Sequence, residues 1–232
     1  MIPYIIIIVA LIILGFIFSR FRPCATMQIT DDLYAIRCVT VNFYALRTGV
    51  GVVLFDTGMN PATAIRGLGK LGISPDSVTH IFLTHTDYDH TGGLPAFPEC
   101  ERYISSAEEQ MINGQTARRG SKHNKGFGSY HIVEDNETVT VGDTDIQAFI
   151  KPGHTPGSAV YLIDKRYIAC GDLLRVSRKG ALLPFLRLMN MNHRQNIKSM
   201  EEMRAIVESS DYVLTGHTGV YRMSARRDEG NC

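Results

Sequence analysis

The stretch His80-Ile81-Phe82-Leu83-Thr84-His85-Thr86-Asp87-Tyr88-Asp89-His90-Thr91-Gly92-Gly93 packs two imidazoles and two carboxylates into the six residues from His85 to His90. They follow an apolar run that reads as a strand end opening into a loop. Histidine and aspartate are the usual ligands of Zn, Fe and Mn, and a cluster this dense suits two adjacent divalent ions. His85 and Asp87 can point one way from the loop while Asp89 and His90 turn toward a neighbouring ion. The plainer alternative is a polar surface turn rich in Asp and His.

Four further signals stand at the ends of apolar runs. Val52-Val53-Leu54-Phe55 runs into Asp56-Thr57-Gly58, and Phe149-Ile150-Lys151-Pro152-Gly153 leads to His154 in a Gly/Pro turn. Tyr167-Ile168-Ala169-Cys170-Gly171 ends at Asp172, and Tyr212-Val213-Leu214-Thr215-Gly216 ends at His217. Singly, each has an ordinary explanation, such as a helix cap or a core histidine. Five polar clusters at strand ends, in one chain and in this order, are hard to read as separate accidents.

On these residues the chain resembles the metallo-β-lactamase superfamily, the glyoxalase II-like hydrolases in particular, from about Ile29 to His217. The resemblance implies an α/β fold, a four-layer αββα sandwich. It implies that His85, Asp87 and His154 hold one metal, that Asp89, His90 and His217 hold a second, and that Asp172 bridges both. Asp56 would stand behind the ligands and orient the metal-binding loop. One fold hosts many chemistries, so the likeness leaves the substrate open.

Asp87 departs from the family's commonest motif, which has histidine there. A carboxylate is a harder, anionic donor, so Mn or Fe becomes an alternative to Zn. In kind this resembles the oxygen-reducing diiron branch of the superfamily, which carries glutamate at this place.

The chain has 232 residues, 44% of them hydrophobic and 20% charged, which suits one globular domain with a substantial core. A net charge of +1 argues against a general nucleic-acid binder. Ile2 to Phe18 is a 17-residue stretch without a charge, and Arg20 and Arg22 follow it. As a helix it would reach ~25 Å, enough to span a thin bilayer core. The expectation is a single transmembrane helix with its basic flank over 1–22 and a hydrolase domain over 23–232. The basic residues after the span place that domain in the cytoplasm. Nothing basic precedes the stretch, as a cleaved signal peptide would require. Cysteines at 24, 38, 100, 170 and 232 show no C-x-x-C spacing, and Cys170 reads as a small packing residue.

Strands are expected over 33–36, 39–46, 51–55, 78–83, 102–104, 138–141, 146–150, 159–163, 167–169 and 212–214. Helices are expected over 61–71, from a cap at 105–108, and over 196–208. Two loops carry basic residues and no acid. Gly114 to Ser129 holds Arg118, Arg119, Lys122 and Lys125; Leu173 to Asn192 holds Arg175, Arg178, Lys179 and Arg187. Arg118, Arg119 and Arg175 are candidates to bind an anionic small-molecule substrate, although such loops also suit acidic lipid headgroups. The apolar run Ala181 to Leu186 reads as a lid over the site or a patch that dips into a membrane interface.

The expected function is a membrane-anchored hydrolase with two divalent metal ions, Zn or else Mn or Fe. It would act on an ester, thioester, lactone or phosphodiester, with Asp89 helping to orient the nucleophile as a catalytic residue. The alternatives are a diiron oxidoreductase, invited by Asp87, a β-lactam hydrolase if the domain lies outside the cell, and a non-catalytic metal-binding module.

Overall fold

The structure is a computed structural model that describes residues 15, 19–118, 124 and 127–223. The expected membrane span over 2–18 lies outside the described residues except for Gly15, and so do Arg119, Lys122 and Lys125. Among the described residues no helix is long and apolar enough to cross a membrane.

Two sheets stack face to face. The first has seven strands in the order β1 (Met27–Gln28), β2 (Leu33–Cys38), β3 (Val41–Thr48), β4 (Gly51–Phe55), β5 (Val78–Phe82), β6 (Glu101–Ser105) and β7 (His131–Val133). The second comprises β8 (Thr138–Val141), β9 (Thr144–Ile150), β10 (Ala159–Ile163), β11 (Tyr167–Gly171), β14 (Tyr212–Thr215) and β15 (Gly219–Arg222), in the order 15-14-11-10-9-8. A small hairpin pairs β12 (Leu174–Val176) with β13 (Leu182–Pro184).

The period-2 alternation of side chains explains the layering. In β2, Leu33 and Ala35 enter the core between the sheets, while Tyr34 and Ile36 face outward onto helix α1 (Pro61–Gly69). In β11, Tyr167 and Ala169 face the first sheet, while Ile168 and Cys170 face helix α3 (His193–Ser209). Strands buried on both faces read as continuous apolar runs rather than alternating ones. Cys170 is one of these packing residues, and burial pushes its thiol pKa up. The result is the expected αββα sandwich. Each helix lies in the crossover between two parallel strands: α1 between β4 and β5, α3 between β11 and β14. Such connections return the helix onto the sheet face.

Two buried tyrosines tie the sheets together. Tyr161 of β10 donates to the Leu83 carbonyl at 2.8 Å, and Tyr44 of β3 donates to the Thr215 carbonyl at 2.7 Å. Each hydroxyl lands just before a stretch that carries candidate ligands, so both contacts brace the site from beneath.

Local chemistry sets the helix ends. Asn60 caps α1 by accepting from the Thr63 amide, with Pro61 in the first turn. Asn192 caps α3, three residues earlier than expected from periodicity. The strand expected from residue 39 begins at Val41, because Val39 has φ 60° and turns the chain. The cap at Ser105 opens a 3₁₀ turn, Ser106–Met111, rather than an α-helix. In the run Ala181 to Leu186, part pairs as β13, Leu182 joins the core under α3, and buried Phe185 packs on the candidate ligands His154 and His217, with ring centroids 5.0 and 5.4 Å away. β1, β7, β12, β13 and β15 were not foreseen; all are short edge or hairpin strands.

Candidate metal centre

The five polar clusters meet at one end of the sandwich because the strands that deliver them end there. β4, β5, β11 and β14 run parallel within their sheets and release Asp56, the His85–His90 loop, Asp172 and His217 at their C-terminal ends. The turn between β9 and β10 adds His154.

All seven predicted ligand residues come together, in three overlapping groups whose donor atoms lie within 4.8 Å of one another: His85, Asp87 and His154; His85, His90 and Asp172; Asp89, His90 and His217. Asp87 Oδ2 stands 3.5 Å from His85 Nε2 and 3.2 Å from His154 Nε2. His217 Nε2 is 3.3 Å from Asp89 Oδ2 and 3.3 Å from Asp172 Oδ2. Asp172 also lies 3.3 Å from His154 Nε2 and, through Oδ1, 3.6 Å from His90 Nε2. It therefore faces both halves of the cluster. One helical turn, α2 (Tyr88–Thr91), separates Asp87 at its N-cap from Asp89 and His90 within it. This is why the two carboxylates serve different groups.

Each imidazole is fixed through Nδ1, leaving Nε2 inward. His90 Nδ1 meets Asp56 Oδ2 at 2.7 Å, His85 Nδ1 meets Thr84 Oγ1 at 3.0 Å, His217 Nδ1 meets the Thr40 carbonyl at 2.8 Å, and His154 Nδ1 meets Asn190 Oδ1 at 3.2 Å. Partners of this kind set the tautomer that a metal needs. His85 Nε2, His90 Nε2, His217 Nε2 and Asp172 Oδ1 are buried and have no hydrogen-bond partner among the described residues. Unpaired buried polar atoms are costly, and four of them converging on one space fit a pair of cations. Asp56, at φ 63°, also accepts from the Thr84 amide and hydroxyl, both at 2.8 Å, and so ties the loop to β4 as expected. Gly171 makes room for that loop: at φ +48° a Cβ would stand 2.4 Å from Thr84 Oγ1.

The electrostatics follow from crowding. Burial alone would lower the pKa of His90, but the carboxylates of Asp56, Asp172 and Asp89 raise it to about 9. Burial would raise Asp89, but His90 and His217 bring it down to about 2. Asp172 is held far below the usual carboxylate range by His217, His90 and His154 against its own burial.

Arg118 reaches the site, but it turns onto Asp87. Arg175, on β12, does not line the cleft over the centre; it lies in a partly buried cationic cluster, where burial and then Arg20 and Arg22 lower its pKa. Phe21, assigned to the anchor flank, stacks on His217 with ring centroids 4.2 Å apart, and the Arg22 amide donates to the His217 carbonyl at 2.6 Å. The residues just after the uncharged stretch thus pack onto the centre.

Glu108 was missed. It is buried, and its carboxylate accepts from the Thr86 amide (2.8 Å) and hydroxyl (2.7 Å), the Thr155 hydroxyl (2.6 Å) and the Gly157 amide (3.1 Å). It locks the His85–Asp87 loop to the His154 turn. The Ser105-x-x-Glu108 spacing signals a cap, and Ser105 does accept from the Glu108 amide at 3.1 Å. Nothing in that spacing shows where the carboxylate goes.

A family profile described as the metallo-beta-lactamase superfamily matches residues 36–217. The chain is 24% identical over 176 residues to a hydroxyacylglutathione hydrolase of Actinobacillus pleuropneumoniae, covering 74% of this chain and 66% of that protein. It is 28% identical over 166 residues to a probable metallo-hydrolase, YybB, of Bacillus subtilis, covering 69% and 74%. The chain thus spans about two thirds of the length of that hydroxyacylglutathione hydrolase. In fold it is similar to a B3 metallo-beta-lactamase with an active-site glutamic acid, with a TM-score of 0.65 and 20% identity over 88% of this chain and 83% of the other. A class B3 di-zinc metallo-beta-lactamase from an Alaskan soil metagenome gives 0.65 and 17% over 87% and 80%.

Proposed function

The chain belongs to the metallo-β-lactamase superfamily, and from that premise we propose that it is a dinuclear metal-dependent hydrolase of an ester, thioester, lactone or phosphodiester. The observation that carries this is the convergence of three unpartnered, buried Nε2 atoms and Asp172 Oδ1 on one space. His85, Asp87 and His154 would hold one divalent ion, Asp89, His90 and His217 the other, with Asp172 shared. When bound, the ions supply Lewis acidity and an activated water near neutral pH. Asp56 holds the His90 ring and Glu108 holds the two ligand loops. Asp89 is 30% exposed against 3% for Asp172, so it is the carboxylate placed to hold or move a proton at the open face. The hydrolase relatives support this reading, and the carboxylate of Asp87 keeps Mn or Fe beside Zn as the native metal.

Asp87 also favours a second reading, a diiron oxidoreductase. Elemental analysis, followed by turnover on a panel of esters, thioesters, lactones and phosphodiesters, separates the two. Two equivalents of metal with hydrolysis support the first, whereas iron with a redox signal and no hydrolysis supports the second. His90→Ala is expected to lose one equivalent and most turnover. The uncharged stretch 2–18 is proposed as a single-pass membrane anchor with the domain on the cytoplasmic side, which protease protection of intact and opened membranes tests.

A further inference from the structure

The cleft above the centre has a volume of about 1340 Å³, and its walls differ in chemistry from its floor. On one wall Tyr88 is 68% exposed although it sits between two candidate ligands. The segment 187–197 that enters α3 also lines the cleft. It presents Arg187, Leu188, Met191, Arg194 and Ile197 to solvent, with Leu188 76% exposed. Arg194 and Ile197 are three residues apart on the helix, hence on one face.

Single exposed apolar residues are ordinary, but four around one cleft mouth mark a binding surface. The segment 187–197 contains no acid. Neither Arg187 nor Arg194 is paired with an acid among the described residues. The cleft's own carboxylates do not cancel these charges, because Asp87 faces Arg118 and His154 and Asp89 faces His217. A ligand that satisfies this surface has an anionic group beside an apolar chain.

We infer that the cleft takes an anionic amphiphile, its phosphate or carboxylate held by Arg187 and Arg194 and its chain lying against Tyr88, Leu188, Met191 and Ile197. This rests on the hydrolase reading and adds the substrate class. Such a molecule can arrive as a free monomer or from a bilayer. The uncharged stretch 2–18 ends three residues before Phe21, which stacks on His217, and His217 in turn faces Asp89 in the cleft. A bilayer held by that stretch would therefore lie close to the cleft.

The test uses the metal-loaded full chain in phosphatidylcholine nanodiscs. It is titrated calorimetrically with octyl phosphate, ethyl phosphate and octyl glucoside, with empty discs as the partition control. Octyl phosphate is expected to bind at least about tenfold tighter than either of the others, a difference of about 1.4 kcal/mol. Arg187→Ser with Arg194→Ser should erase its advantage over octyl glucoside, and Leu188→Ser with Ile197→Ser its advantage over ethyl phosphate. All four residues are exposed, and retained metal content confirms that the variants fold. Doping the discs with phosphatidic acid should weaken octyl phosphate binding if the ligand comes from the bilayer and leave it unchanged if it comes as monomer. Equal binding of the three probes, or ratios indifferent to both variant pairs, overturns the inference. Turnover of small neutral esters alongside equal probe binding removes this inference and leaves the hydrolase reading standing. The full binding preference without turnover of any hydrolase substrate does the reverse.

Discussion

The guanidinium of Arg118 is forked onto the carboxylate of Asp87. Its Nε donates to Oδ1 at 2.8 Å and its Nη2 faces Oδ2, while Nη1 donates to the Met189 carbonyl at 2.6 Å. Burial would raise the Asp87 pKa, but hydrogen bonds from His154 and His85, the charge of His85 and a hydrogen bond from Arg118 hold it well below the usual carboxylate range. Arg118 thus offsets the negative charge that aspartate adds relative to histidine. A unit charge a few ångströms from a divalent ion repels it by several kcal/mol even at an effective dielectric constant of about 20. The orienting hydrogen bonds contribute about 1.5–3 kcal/mol. Arg118→Ala is therefore expected to tighten metal binding at the Asp87 group by about tenfold, as read by chelator competition. Weaker binding would mean that orientation dominates.

Asp87→His strips Arg118 of its anion and leaves a partly buried guanidinium facing imidazoles. Stability of the metal-stripped protein should fall by about 1–3 kcal/mol. Arg118→Gln in the same chain should restore part of that loss, so the pair is coupled in a double-mutant cycle. Both histidine variants should favour Zn over Mn or Fe more than the parent does, because imidazole is the softer donor. Chemical denaturation and competitive metal binding measure the two effects.

Glu108 gives a sharper stability test. Each of its oxygens accepts two hydrogen bonds, from Thr86 on one side and from Thr155 and Gly157 on the other. Glu108→Gln keeps the shape but must turn an NH₂ toward one pair of donors. Leaving such groups unsatisfied costs about 1–3 kcal/mol each. The variant should lose about 2–4 kcal/mol and bind metal at the Asp87 group more weakly, since both loops it joins carry candidate ligands. Unchanged denaturation would show that the loops do not depend on it.

The residues that converge on the candidate centre were legible because they fall within a few residues of an apolar strand end, so local order along the chain encodes proximity in space. Asp56 was legible for the same reason. Glu108 and Phe21 were not, because their partners lie 22 to 196 positions away in the chain and no local period records such contacts. The apolarity of Ala181 to Leu186 pointed to a cover over the site or a membrane patch; Phe185 does lie on His154 and His217, while pairing with β12 and packing under α3, which no local pattern records, bury much of the rest. The acid-free loop points Arg118 toward an anion from elsewhere in the chain, and the carboxylate it meets in the fold, that of Asp87, sits 31 residues earlier.

Gly216 links backbone geometry to Asp172. A Cβ there would stand 2.5 Å from Asp172 Oδ1 and 2.8 Å from His90 Cε1. Neither side chain can retreat, since both are buried and His90 is fixed by Asp56. Gly216→Ala should reduce bound metal below two equivalents, as counted by elemental analysis. Full loading would mean that the loop after β14 shifts freely.

The metal-stripped protein should show a stability maximum in mildly acidic solution. His90 has a folded pKa of about 9, above its ordinary value of about 6.5. Its charged form therefore contributes stability that is fully present below about pH 6.5 and is lost as pH rises through about 9. Asp89 has a folded pKa of about 2, below its ordinary value of about 3.9, so its contribution is present above about pH 4 and is lost as pH falls through about 2. Between about pH 4 and 6.5 both contributions stand. Metal loading requires His90 to surrender the Nε2 proton, so binding near pH 7 should release protons and tighten as pH rises. Calorimetry in buffers of different ionisation enthalpy reads the proton count, and thermal denaturation of chelator-treated protein across pH reads the stability. A stripped protein that grows more stable from pH 6.5 to 9, or metal binding with no proton release, would show that the carboxylates around His90 do not hold it charged.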